Sequence, residues 1–141
     1  MIRIVLVDDQ RMSRQITRRL LSMHADVTVV GEARDGIEAL EVVSQARPDV
    51  VLMDVHMPIL NGVETTKRMR SAYPDVKIVL FSSINHDSYV AEGMRAGAIG
   101  YLPKNTQPDV LVAAIRAASE GRQLDARHAT PTGCLSSRQR G

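Results

Sequence analysis

Four short apolar runs do most to limit what this chain can fold into: Ile2 to Val7, Val50 to Met53, Ile78 to Phe81 and Ala98 to Leu102, with Val27 to Val30 as a fifth. They are rich in Val, Ile and Leu and mostly do not alternate with polar residues, which suits strands covered on both faces, as in a parallel sheet. Between them lie segments with helical spacing. Met12, Ile16, Leu20 and Met23 fall at i, i+4, i+8 and i+11, which predicts an apolar stripe with Arg11, Arg14, Arg18 and Arg19 facing solvent. Ala39, Leu40 and Val43 make a second stripe; Leu111, Ala114, Ile115 and Ala118 make another. Segments 62–71 and 87–95 are weaker helical patterns. Pro74 and Pro108 sit outside helices or near a helix start. Strands alternating with helices predict an α/β fold with a parallel sheet, five βα units filling residues 1 to about 121.

The 141 residues therefore divide into one domain, 1–121, and a tail, 122–141, too short to fold alone. The formal net charge of +2 is uneven. The tail holds Arg122, Arg127, Arg138 and Arg140 against Asp125, so the folded part is slightly acidic, and the basic balance is poor support for nucleic-acid binding. Cys134 is the single cysteine, which fits a reducing compartment. Met1 runs straight into the first strand without a signal-peptide pattern, and no apolar run reaches bilayer length, so a soluble, cytoplasmic protein without a membrane partner is expected.

What ends each strand carries the chemistry. The first run ends in Asp8-Asp9, the third in Asp54 and the fourth in Ser82-Ser83, while Lys104 follows the fifth. In an open parallel α/β sheet, ligands bind outside the carboxyl ends of the strands. Any one of these residues alone reads best as a turn former, a cap or solvated surface. Jointly they bring three carboxylates, a hydroxyl and an ammonium to one edge. Clustered carboxylates repel, and a hard cation with oxygen ligands relieves them; Mg2+ suits a site of a few carboxylates, water and phosphate oxygens. The scattered His24, His56, His86 and His128 give no zinc spacing. The edge suits a divalent cation, a phosphoryl group and one carboxylate nucleophile.

The segments VDD at 7–9, LMDVHMP at 52–58, FSS at 81–83 and GYLPK at 100–104 resemble the receiver domain of two-component response regulators, in that family's order and spacing. The resemblance implies a flavodoxin-like (βα)5 fold with strand order 2-1-3-4-5. It implies that Asp54 accepts a phosphoryl group from a sensor histidine kinase. Asp9 and Asp54, with the backbone carbonyl of His56, would hold Mg2+, Asp8 helping through the metal's water shell. Lys104 would contact a phosphate oxygen, Ser82 would be the switch hydroxyl and Tyr101 the switch aromatic, for which ordinary strand packing is an equal alternative. His56 and Ile84, two residues beyond the phosphorylation and switch positions, would tune water access to the phosphate. Asn61 stands where members often have Asp, and Asn105, not proline, follows Lys104, which leaves the geometry of that bond open.

Residues 135–140, LSSRQR, resemble the opening of a LuxR-type helix-turn-helix domain. With the receiver pattern this suggests a transcription regulator of the NarL/FixJ type whose DNA-binding domain is missing from this chain, so that DNA would be reached only through that domain; a disordered basic tail is the plainer alternative. A homodimer formed on phosphorylation is compatible with the resemblance, with no dimer face selected. The chain would catalyse its own phosphorylation and dephosphorylation without turning over a separate substrate. Three rival classes stay open: a flavodoxin-like cofactor binder, which Asp8-Asp9 disfavours; an aspartate phosphatase, which His56 two residues after Asp54 disfavours; and an interaction module that is never phosphorylated.

Overall fold

The computed structural model describes residues 1–82 and 87–122. Ser83, Ile84, His86 and the stretch 123–141, with Cys134 and LSSRQR, lie outside the described residues. Strands and helices alternate: β1 Ile2–Val7, α1 Arg11–Leu21, β2 Val27–Ala33, α2 Gly36–Ala46, β3 Val50–Met53, α3 Gly62–Ala72, β4 Lys77–Ser82, α4 Asp87–Ala96, β5 Gly100–Pro103 and α5 Pro108–Ser119. The strands form one parallel sheet in the order β2-β1-β3-β4-β5, which is the flavodoxin-like (βα)5 arrangement expected.

The continuous apolar runs are explained by burial on both faces. Val5, Val7, Val51, Met53, Ile78, Leu80 and Tyr101 point to one side and pack with Ala39 and Val43 of α2 and Val63 and Met69 of α3. Ile4, Leu6, Val50, Leu52, Val79, Phe81 and Leu102 point to the other and pack with Leu21 of α1 and Leu111, Ala114, Ile115 and Ala118 of α5. Successive strand residues thus feed opposite cores. Each fully buried aliphatic side chain contributes about 1.5–3 kcal/mol.

The α2 and α5 stripes are buried as expected. Pro108 opens α5, where its missing N–H costs nothing. Asn61 caps α3, accepting from the Glu64 N–H at 2.9 Å, so Asn serves at this position as a helix start. Every peptide bond among the described residues is trans, Lys104–Asn105 included.

Helix α1 departs from expectation. Met12, Ile16 and Met23 are 71%, 61% and 73% exposed, and only Leu20 of the expected stripe is half-buried. The inward face is Ser13, Arg14, Thr17, Leu20 and Leu21. The helix is rotated because its first turns face polar partners: Arg14 donates to the Asp8 carbonyl at 2.6 Å and to Glu32 at 3.1 Å. Only Arg14 among the four arginines turns in this way; Arg11, Arg18 and Arg19 are exposed as expected.

Strand β2 runs three residues further than its apolar core suggests, through Gly31, Glu32 and Ala33. The pairing with β1 shifts between Ile4 and Val5. Gly31 is required there, since a Cβ would stand 2.6 Å from Val42 Cγ1 of α2. Strand β5 begins at Gly100, two residues later than expected.

Candidate functional site

The sheet reverses its winding between β1 and β3, and the crevice at their carboxyl ends is where such sheets bind ligands. Register carries the acidic residues there. The Asp54 N–H donates to the Val7 carbonyl at 2.9 Å, and the Asp8 N–H to the Ala33 carbonyl at 3.0 Å, so both carboxylates continue the ladder by one residue. Asp8, Asp9 and Asp54 each offer an oxygen, and these oxygens lie within 4.8 Å of one another. Asp8 and Asp54 are buried; Asp9 is exposed.

Helix α3 presses on this arrangement from below. The Gly62 N–H donates to the Val55 carbonyl at 2.9 Å, and a Cβ on Gly62 would stand 2.3 Å from the Asp54 carbonyl oxygen. The intervening loop is strained: Ile59 has φ +71°, a left-handed value that costs a β-branched residue dearly, while its side chain is 81% exposed.

Lys104 reaches in from the end of β5. Its backbone N–H donates to the Ser82 carbonyl at 3.0 Å. Its Nζ makes a short ion pair with Asp8 Oδ2, lies 3.0 Å from Ser13 Oγ and 3.6 Å from Asp54 Oδ2. Burial pushes the Asp54 carboxyl above the usual carboxylate range, with the Lys104 charge opposing and Asp8 reinforcing that shift. The His56 N–H donates to Asp54 Oδ1 at 3.3 Å, and the Gln10 N–H to Asp8 Oδ1 at 2.9 Å.

Ser82 is buried at the end of β4. Tyr101, in β5, is turned inward and 3% exposed, and burial raises its phenol. The His56 ring stands edge-on to Tyr89 of α4, centroids 4.8 Å apart. Asp8, Asp9, Asp54 and Lys104 thus form one cluster at the carboxyl edge and Ser82 ends β4 beside it, whereas Tyr101 lies within β5, opposite Leu80. Ser13, Arg14 and Glu32 around the cluster, and Tyr89 against His56, are not among the site residues expected from the sequence. The first turn of a helix that follows a site strand must face the same edge, and that position was the signal available for Ser13 and Arg14. Glu32 lay beyond the apolar run that marked β2.

The donor set fits a hard divalent cation. It consists of carboxylate oxygens from Asp8, Asp9 and Asp54, two of these residues buried, with a single nearby ammonium among the described residues against the three carboxylates.

A doubly wound sheet with an acidic cluster at its switch point is the architecture of a signal receiver. The chain belongs to the response regulator receiver domain family, whose profile matches residues 4–116. It is 46% identical over 123 residues to the uncharacterized transcriptional regulatory protein YxjL of Bacillus subtilis, covering 87% of this chain and 56% of that protein. It is 38% identical to the nitrate/nitrite response regulator protein NarL of Escherichia coli, covering 91% and 59%. Among solved structures it resembles a LuxR-family two-component response regulator from Aurantimonas (TM-score 0.84, 34% identity, 89% of this chain and 90% of that one). It also resembles the receiver domain of the putative response regulator NarL from Mycobacterium tuberculosis (0.82, 34%, 86% and 98%). The chain spans little more than half the length of those two curated relatives. Among the described residues no helix is long and apolar enough to cross a membrane.

Proposed function

We propose that this chain is a phosphorylatable switch in which Asp54 accepts a phosphoryl group from a phosphohistidine on a sensor histidine kinase. The observation that carries the proposal is the convergence of Asp54 with two further carboxylates and Lys104 at the β1/β3 switch point. In the transfer, an Asp54 carboxylate oxygen bonds to phosphorus. The P–N bond breaks, and its electron pair stays on the departing imidazole nitrogen. Such transfers depend on alignment and on neutralising spread charge more than on covalent assistance.

Asp8, Asp9, Asp54 and the His56 carbonyl would hold Mg2+, which when bound supplies positive charge to the phosphoryl oxygens. Lys104 supplies a second positive charge from the carboxyl end of β5. The His56 N–H aligns one Asp54 oxygen, leaving the other toward Lys104. Ser82, at the adjacent strand end, acts as the switch hydroxyl. Its movement toward the phosphoryl group changes the space in which Tyr101 packs, biasing the face made by α4, β5 and α5.

Residues 1–121 make up this receiver, and 122–141 are a linker leading into the start of a helix-turn-helix domain. The output is control of transcription in the cytoplasm, with phosphorylated copies pairing. The chemistry is confined to the protein's own aspartate; no separate substrate is turned over.

Incubation with acetyl phosphate and Mg2+ tests the reading. The intact mass should rise by one phosphoryl group, acetate leaving, and Asp54→Asn should abolish the gain. No gain, with acetyl phosphate or with a phosphorylated kinase, would favour an interaction module that is never phosphorylated.

A further inference from the structure

We propose that Ser13, on the opening turn of α1, is a positioning residue for Lys104, holding its ammonium where it meets the incoming phosphoryl group. The proposal rests on the reading of Asp54 as phosphoacceptor and adds to the site a residue outside its acidic cluster.

An ammonium has three N–H donors and a flexible four-carbon stem, so it stays in one place only where acceptors fix it. Among the described residues three side chains surround Lys104 Nζ: Asp8, Ser13 at 3.0 Å and Asp54 at 3.6 Å. Asp8 and Asp54 also belong to the cluster that suits a cation. Once those carboxylates face a cation and a phosphoryl group, their hold on Lys104 changes. Ser13 Oγ is the neutral acceptor of the three and takes no part in that cluster. It can keep its hydrogen bond to Lys104 before and after phosphorylation.

Its own placement is braced. The side chain is short, and the next residue, Arg14, ties the same turn to the Asp8 carbonyl at 2.6 Å and to Glu32 of β2 at 3.1 Å. Arg18 ties the next turn to the same glutamate at 2.6 Å. This bracing also accounts for why α1 turns Ser13 and Arg14 inward and leaves Met12 and Ile16 in solvent.

The test uses the full chain, MgCl2 and beryllium fluoride, with bound fluoroberyllate followed by fluorine NMR. A hydrogen bond to a charged group is worth roughly ten- to a hundredfold in an equilibrium, and a residue that acts only through the lysine passes on a part of it, about two- to tenfold. Ser13→Ala should weaken fluoroberyllate binding by that factor and raise the half-saturating acetyl phosphate concentration similarly. Its melting temperature should stay near wild type, and Ser13→Thr should restore binding. In a Lys104→Ala background, Ser13→Ala should have no further effect, because the residue acts through the lysine. Wild-type affinity in Ser13→Ala, or an equal loss in the Lys104→Ala background, would overturn this proposal alone. A wild-type protein that binds no fluoroberyllate would overturn it together with the reading of Asp54.

Discussion

Gly62→Ala is the change that most sharply connects packing to chemistry in this molecule. A Cβ at residue 62 would stand 2.3 Å from the Asp54 carbonyl oxygen, 2.8 Å from Val55 Cα and 3.1 Å from the Asp54 carbonyl carbon. Ordinary contact begins at 3.4 Å, so α3 and the Asp54 segment must separate by about 1 Å. All three atoms are backbone, and no side chain can swing aside. Overpacking of this kind costs roughly 1–3 kcal/mol, a drop of about 3–15 °C in melting temperature for a domain of this size. The same shift moves the nucleophile, and a displacement of about 1 Å can cost up to ~100-fold in a reaction governed by alignment. Thermal melts and the rate of acetyl phosphate-driven phosphorylation measure the two effects. Gly97→Ala serves as control. Its φ of +119° and its approach to Arg70 make it destabilising too, but it lies before β5 at the opposite edge of the sheet. It should melt lower and phosphorylate normally below its melting temperature. A Gly62→Ala protein with wild-type melting and wild-type rate would mean that the close approach of α3 does not hold the Asp54 segment in place.

Asp54→Asn should stabilise the metal-free protein near neutral pH. Burial raises the folded carboxyl above its unfolded value, so the wild-type contribution is intact below the unfolded pKa and is lost as pH rises through the folded one; melts of both proteins in a chelator from acid to neutral pH check this, and an Asn variant less stable at neutral pH would count against it. Ile16→Ala should change stability by less than about 0.5 kcal/mol, since the side chain is 61% exposed, whereas Leu21→Ala, fully buried, should cost roughly 2–5 kcal/mol in denaturant titrations. Ile59→Asn should raise stability by about 0.5–1 kcal/mol by relieving a left-handed β-branched residue, and a lower melting temperature would show that the strain is absent.

The parallel sheet was legible because β1, β3 and β4 are buried on both faces, and a continuous Val/Ile/Leu run has few other meanings. The carboxyl-edge residues were legible for a related reason: a charged residue directly after a buried run marks the strand's end. The direction of α1 is not legible, because its apolar stripe, Met12, Ile16 and Met23, is regular but faces solvent. Periodicity reports a face, not the direction in which it points. The inward face of α1 is specified by Arg14, Asp8 and Glu32 across three elements, and no local pattern in the sequence encodes that meeting. Strand β2 was underestimated because Gly31 and Glu32 look like a turn; Gly31 is there for the close approach of α2, and Glu32 for the two arginines of α1. Ser13 and Tyr89 were missed because their contacts, Lys104 and His56, come from distant parts of the chain.

Chemical trapping identifies which carboxylate carries the phosphoryl group. An acyl phosphate on aspartate is reduced by borohydride to homoserine, whereas a phosphate on serine, threonine or tyrosine is not. After treatment with acetyl phosphate and Mg2+, reduction and peptide mass spectrometry should place homoserine at residue 54 and leave residues 8 and 9 as aspartate. Homoserine at residue 8 or 9 with residue 54 intact, or no homoserine in protein that has gained the mass of a phosphoryl group, would mean that Asp54 is not the phosphoacceptor.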